Sequence, residues 1–343
     1  MLLPLALVAS APAAEMQADL HLDTPTQLYR KKVGLDADGL EAGLAQLRTG
    51  GTNLAVMVLW PPREAKWEAH VESLLAILEK EDARLDSVAL ARSPEEARAI
   101  AERGGVAMVY SLEGAHGIDT TGLDGLRALH ARGLSMLGLT WSFSNRFAGS
   151  SGDAGAQPAG TGLTDDGRAL VAEAQRLGVL VDLSHASVAT TLEVCRASLV
   201  PVLASHSDAA AVKPHVRNLT DEEIGCIAAT GGVVGLNLHS TFLGSPAGVK
   251  KAADHVEHLR DIGGIGVVAL GSDFDGLITP PPDIATASSL GVLWDELRRR
   301  GWTEPAIQAV RGENFLRAWW VARSLANVPG AVTRKEPVAA TPR

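Results

Sequence analysis

Cysteine is nearly missing from this chain of 343 residues, with Cys195 and Cys226 its only two. Two thiols are too few for a disulfide framework, so stability has to come from a hydrophobic core. Both fall inside helical patterns, where a small buried apolar residue is the ordinary role. Basic charge is also short: 31 Lys and Arg stand against 40 Asp and Glu, for a net charge of −9. No basic run offsets that balance, which argues against nucleic acid or an anionic membrane surface as a partner. No apolar stretch is long enough to span a bilayer, and no C-terminal hydrophobic tail suggests a lipid anchor. A GxxxxGK phosphate loop, an internal repeat and a second domain are likewise missing. Gly114, Gly271 and Gly276 are therefore read as places of close backbone approach.

The ends carry weaker signals. In MLLPLALVASAPAA a short apolar stretch runs into small residues, and Ala11-Pro12-Ala13 resembles a cleavage site, but the Lys/Arg start of a secretory signal is lacking. The expectation is a leader over residues 1–17 that directs export to the periplasm or outside, with a cytoplasmic location as the alternative. Residues 327–343 read as a disordered tail, which leaves 18–326 as one catalytic domain.

What is present is a core. Hydrophobic residues make up 46% of the chain and charged ones 21%, enough apolar mass for one large α/β domain. Strand-like runs fall at about 18–24, 52–60, 106–114, 134–142, 179–185, 201–206, 233–240 and 267–274. Helical stretches with marked starts separate them. Ser93-Pro94-Glu95-Glu96 and Thr220-Asp221-Glu222-Glu223 both have the cap residue followed three positions later by Glu, and Gly231-Gly232 ends the second helix. Val71, Leu74, Leu75 and Leu78 form a helical stripe. Eight strands alternating with helices predict a (β/α)8 TIM-type barrel. An open doubly wound sheet would gather its ligands at one switch point, whereas here the polar residues are spread over five strands. The segment 143–162, rich in Gly, Ser and Ala, is long for a loop and reads as a lid or pocket wall after the fourth strand.

Those polar residues are the informative feature. His21 and Asp23, Glu113, His185, His206 and Asp273 each stand at the C-terminal end of an apolar run. Ionisable groups in such strands are costly unless paired or bound to metal. Strand ends on one face of a barrel are also where its chemistry is placed. His21 and Asp23, two apart, project from one face and can share a cation. His185 and His206 end neighbouring strands and can grip a second, and Glu113 is the acid placed to bridge them. This donor set suits Zn²⁺, with Mn²⁺ or Co²⁺ also fitting, and two ions would share a hydroxide. Asp273 can exchange a proton with that water and with a leaving amine. A metal-dependent hydrolase is expected. Asp275, out of phase with its strand, is given a structural role.

The motifs HLD, SLEGAH, DLSHAS, ASHSDAAAVKPHVRN and GSDFDG resemble, in that order, those of the membrane (renal) dipeptidase family, zinc dipeptidases of the amidohydrolase-like barrels. The likeness runs from about Ala18 to GENFLR, ending at Arg317. It implies one metal on His21, Asp23 and Glu113 and a second on Glu113, His185 and His206. It also implies Asp273 as a substrate-binding proton carrier and Arg217 as the partner of the substrate carboxylate. The implied reaction is hydrolysis of dipeptides, including ones with a D-residue at the C-terminal side, and a homodimer is compatible with the family. One position departs. Where the family's strand four is followed by a histidine thought to polarise the scissile carbonyl, this chain has Trp141, whose indole can donate a hydrogen bond but cannot become cationic. Trp141 is thus a substrate-binding candidate, and Asn145 is a possible loop donor in the histidine's stead. The departure keeps open a related amidohydrolase acting on N-acyl amino acids, β-lactams or other amides.

Other polar residues are read more plainly. Arg217 has an alternative as a partner of Asp221 or Glu222. His255 and His258 suggest a solvated helix face; His70, His130 and His239 are expected to be surface or structural; His116 can orient Glu113, and His215 can shape the pocket near Arg217.

Overall fold

The computed structural model describes residues 14–152 and 161–328. The apolar runs form parallel strands: β1 (Ala18–Leu22), β2 (Leu54–Leu59), β3 (Val88–Leu90), β4 (Val106–Leu112), β5 (Leu134–Gly138), β6 (Leu180–Asp182), β7 (Leu203–Ala204), β8 (Val233–Leu236) and β9 (Val268–Leu270). Eight of them succeed one another in the order β1-β2-β4-β5-β6-β7-β8-β9. The ring shuts where β9 meets β1. The Asp23 N–H donates to the Phe274 carbonyl and the Asp273 N–H to the His21 carbonyl, each at 3.0 Å. The fold is the expected (β/α)8 barrel, and its closure gathers the polar strand ends at one mouth.

β3 has no counterpart among the expected strands. Its three residues pair with Val106–Met108 at the start of β4, on the edge that β5 takes over from Tyr110 onward. A strand of that length shows no period in the sequence.

Strand alternation divides the core into two layers. Leu54 and Val56 of β2 turn inward to pack with Ala18, Leu20, Ala107, Val109 and Met136. Ala55, Met57 and Leu59 turn outward into the layer that holds Leu74, Leu75 and Leu78 of the helix Trp67–Arg84. The floor of the inner layer is closed by the helix Asn314–Ser324, whose Phe315 and Trp319 stack at 5.8 Å. Met16 and Gln17 belong to this packed body as well: Met16 is buried, and the Gln17 side chain bonds Thr52 and Trp294. The earlier part of the leader and the tail beyond Val328 lie outside the described residues.

Both marked helix starts form as read. Ser93 accepts from the Glu96 N–H, and Thr220 and Glu223 complete a reciprocal capping box. Of the 143–162 loop, residues 153–160 lie outside the described residues, and the rest is tightly folded, with Phe143, Phe147 and Ala148 buried.

Candidate metal and active site

β1 would aim His21 at the helices if it ran straight. Ala18 and Leu20 face the interior, so His21 has the wrong parity. The register against β2 slips by one residue between Asp19 and Leu22, a bulge that turns His21 and Asp23 into the mouth. The same correction recurs on β6, where Asp182 is in phase with interior Leu180. His185 is out of phase and reaches the centre through a left-handed backbone, φ 65°. Glu113 continues the inward positions Val109 and Ser111 of β4, and His206 follows β7.

The five proposed ligands meet around Glu113. Its Oε2 lies 3.6 Å from His21 Nε2, which is itself 3.8 Å from Asp23 Oδ2. Its Oε1 lies 2.9 Å from His185 Nε2 and 3.4 Å from His206 Nε2, and those two nitrogens are 3.0 Å apart. Two triads able to hold a metal ion, His21–Asp23–Glu113 and Glu113–His185–His206, thus share one carboxylate. All five residues are buried. His21 Nε2 and Asp23 Oδ1 have no hydrogen-bond partner among the described residues. Buried polar atoms left bare are costly, and a cation in the His21–Asp23–Glu113 triad would satisfy both; the second triad brings one carboxylate oxygen and two imidazole nitrogens within 2.9–3.4 Å, so the donor set fits a pair of divalent ions.

Electrostatics point the same way. Burial opposes charge on every group, but Glu113 and Asp23 outweigh it at His21 and hold its imidazolium up to about 10. Burial works against ionised Glu113 too, yet His21 and His185 keep its carboxyl well below the usual range. Burial, joined by Arg217, pushes His185 down to about 4, and burial with His21 and Arg217 lowers His206. Asp23 is raised by burial and by Glu113. Without ions the centre is therefore a His21–Glu113 ion pair beside two neutral imidazoles.

Asp273 sits across the cavity with φ 68°, and Asn237 Nδ2 donates to its Oδ2 at 3.0 Å. Gly276 makes this corner possible, since a Cβ there would lie 2.6 Å from Asp273 Oδ1 and 2.7 Å from Asp23 Oδ2. Asp275 is structural, as expected: its carboxylate accepts from Thr24 and from the Glu41 and Ala42 N–H groups, tying the β9 loop to the segment after β1. Arg217 is buried in the cavity wall. One guanidinium nitrogen donates to the His206 carbonyl at 3.2 Å, its Nε has no partner among the described residues, and the ring of Phe242 lies 5.7 Å away. Its alternative partners are engaged elsewhere, Asp221 with His258 and Glu222 with Arg196.

The cavity above the ligands is about 320 Å³. That is the small end of ligand pockets. Trp141 lines it with its indole 5.0 Å from that of Trp60 and 6.2 Å from His185. His239 and Phe242 form the wall beside Arg217.

Some expectations are corrected here. Asn145 is no loop donor to the pocket, because its amide bonds the Leu139 carbonyl and its oxygen accepts from Phe147 and Ala148. His116 makes no hydrogen bond to Glu113; it contacts the Pro61 carbonyl and packs against Trp67 and Phe143. His255 is buried rather than solvated, with Nδ1 accepting from the Ala209 N–H and Nε2 on the Leu243 carbonyl. His239, read as surface or structural, lines the cavity. Asn237, Ser205, Asp182 and Trp60 were not singled out from the sequence, although Asp182, Ser205 and Asn237 are polar residues within or just after apolar strands.

Comparison with known proteins gives the family and agrees with the fold. The profile of the membrane dipeptidase family, peptidase family M19, matches residues 12–330. Dipeptidase verJ of Clonostachys rogersoniana is 35% identical over 291 residues, covering 80% of this chain and 73% of the relative. A metallopeptidase of Rhodobacter sphaeroides, solved with a phosphinate mimic of the dipeptide L-Ala-D-Ala, superposes with a TM-score of 0.81 at 28% identity, over 90% of this chain and 99% of that one. The metallopeptidase dipeptidase AC gives 0.80 at 29% identity, over 91% and 99%. Among the described residues, no helix is long and apolar enough to cross a membrane. The chain belongs to the membrane dipeptidase family, peptidase family M19, and is a metallopeptidase of that family.

Proposed function

We propose that this chain hydrolyses dipeptides with two divalent ions, Zn²⁺ foremost, held by His21, Asp23 and Glu113 on one side and by Glu113, His185 and His206 on the other. The observation that carries the reading is the division of Glu113, with one oxygen turned to His21 and the other to the two remaining imidazoles. Ions in such a site supply Lewis acidity and a nucleophile at neutral pH. Asp273 takes the proton from the attacking water and returns it to the leaving amine, with Asn237 fixing the carboxylate's direction. Arg217 receives the substrate's terminal carboxylate, and the small cavity limits length. The indoles of Trp141 and Trp60 bound the cavity, and Trp141 itself offers the scissile carbonyl an N–H donor but no charge. The mimic bound by the Rhodobacter sphaeroides relative supports including dipeptides with a C-terminal D-residue.

Trp141 favours one second reading, an amidohydrolase for N-acyl amino acids, β-lactams or other amides that need less help at the carbonyl. A panel of dipeptides, their D-residue counterparts, N-acyl amino acids and β-lactams, assayed with zinc-loaded protein, separates the two. Turnover restricted to substrates without a free amine would replace the dipeptidase reading.

Metal analysis of gently purified protein is expected to find close to two ions per chain, and chelation should abolish hydrolysis. Full activity in chelator with no metal present would overturn the reading. Uptake should also release protons. Because His21 is held up to about 10, its proton competes with the ion at every pH below that, so affinity for the first site should rise as pH increases from 7 toward 10. Calorimetry in buffers of different ionisation enthalpy measures the release.

Arg217→Lys should weaken dipeptide binding, since a lysine ammonium cannot make the two-point contact of a guanidinium fork with a carboxylate. Amidating the substrate carboxylate should weaken binding to the wild type by a similar amount. The two changes combined should cost little more than either, because both remove one interaction. Additive losses would leave Arg217 outside carboxylate recognition.

A further inference from the structure

One hydroxyl lies beneath both halves of the centre. Ser205 Oγ is 2.9 Å from His21 Nδ1 and 2.8 Å from His206 Nδ1, imidazoles that fall in different ones of the two triads sharing Glu113 and that also group with Asp182. Ser205 is fully buried and held from several sides. Its N–H donates to Asp182 Oδ1, its Oγ lies 3.4 Å from Ser184 Oγ, and its carbonyl lies so close to Gly271 that a Cβ there would sit 1.7 Å away. Asp182 stands near both imidazoles as well, but its Oδ1 is taken by the N–H groups of Ser184 and Ser205.

The hydrogen-bond inventory leaves one arrangement in which both imidazoles serve the Glu113 triads as ligands through Nε2. A histidine that offers Nε2 to a cation carries its proton on Nδ1, and that N–H needs an acceptor. A hydroxyl oxygen has two acceptor lone pairs and one proton. Ser205 Oγ can accept from both Nδ1–H groups at once while its own proton points to Ser184 Oγ. With either imidazole in the other tautomer, its Nε2 lone pair would be lost to the centre.

We propose that Ser205 is the positioning residue that sets the tautomer and ring direction of His21 and His206 together, so that the two ion sites are formed by a shared hydrogen-bond acceptor as well as by a shared carboxylate. This rests on the two-ion reading, in which both histidines bind through Nε2. Removing the hydroxyl strips two ligands of their acceptor in one step. Both sites weaken in parallel, although Ser205 itself touches no ion.

The test is titration of ion-free protein with Zn²⁺ against a chelator of known affinity. Ser205→Ala is expected to raise both stepwise dissociation constants, each by about 10–100-fold, the range typical for loss of a group behind a metal ligand. Unchanged constants, or weakening of one site alone, would overturn the proposal. A wild type that binds no zinc would instead sink the two-ion reading, so the two failures are distinct. If Ser205→Ala does not fold, the zinc-loaded wild type suffices, labelled with ¹⁵N at histidine. Long-range proton–nitrogen spectra should show His21 and His206 both protonated at Nδ1, with these protons slow to exchange with water. Rapid exchange of either Nδ1 proton with water, with Nε2 unprotonated, would refute the assignment, whereas a proton on Nε2 would count against the two-ion reading instead.

Discussion

Glu113→Gln should strip the protein of both ions and lower kcat/KM by at least about 10³-fold, more than any single histidine replacement. The size follows from geometry. His21→Ala leaves the Glu113–His185–His206 triad whole, and His206→Ala leaves His21–Asp23–Glu113 whole, but Glu113 belongs to both. Glutamine keeps the shape of the side chain and one acceptor oxygen. It loses the negative charge that would balance two cations and offers a poor N–H₂ group to one of them. Roughly 4 kcal/mol of barrier corresponds to that rate loss, within the several kcal/mol a Lewis-acidic ion supplies. Two measurements decide it: metal per chain by elemental analysis, and kcat/KM on a dipeptide in excess zinc. A variant that kept two ions and full rate would show that Glu113 bridges nothing. A variant that kept one ion would show that its two oxygens are not equally used.

How far the site was legible depends on what kind of residue each part required. Charged groups at the ends of apolar strands stand out because nothing about core packing calls for them, and six were identified, although Asp182 at the end of β6 was passed over. Which way they point was harder. His21 faces the mouth only because β1 bulges, and His185 only because its backbone adopts φ 65°. Neither a one-residue register slip nor a left-handed histidine changes the apolar pattern that marks a strand. Neutral polar partners were missed for the opposite reason. Ser205 and Asn237 carry no charge, so their placement in a strand end costs little and signals little, although Asn237 directs Asp273 and Ser205 lies against two imidazoles. Asn145 shows the reverse error: a polar loop residue looked available to substrate, but the loop's own backbone groups consume it. His255 misled through spacing, because a HxxH pair suggests one exposed helix face, whereas only His258 reaches an outer partner and His255 turns into the packing beneath Ala209. The barrel itself was readable because eight apolar runs alternate with amphipathic helices. The short strand β3 escaped because three residues cannot show a period.

Asp273→Asn should leave both ions in place and reduce kcat by about 10²–10⁴-fold, the span associated with loss of a general acid–base group. The substitution is mild on structural grounds. Asp273 has φ 68°, a left-handed conformation that asparagine tolerates better than most residues, and the amide oxygen can still accept from Asn237. What disappears is the ability to take a proton. The pH profile supplies the second readout. Burial, with Glu113 adding to it, pushes the Asp273 carboxyl up to about 6, while His21, the Asn237 hydrogen bond and Arg217 pull the other way. As a base it must be ionised, so activity should fall as pH drops through its pKa. Cations in front of it stabilise the carboxylate and move that limb below 6. The wild type should therefore show an acid limb at or below about pH 6 that persists when zinc is saturating. In Asp273→Asn the residual rate should lack this limb while metal content stays near two. If the limb survives in the variant, the proton is carried by another group; if the ions are lost with the carboxylate, Asp273 is a ligand and the division of labour with Glu113 has to be redrawn.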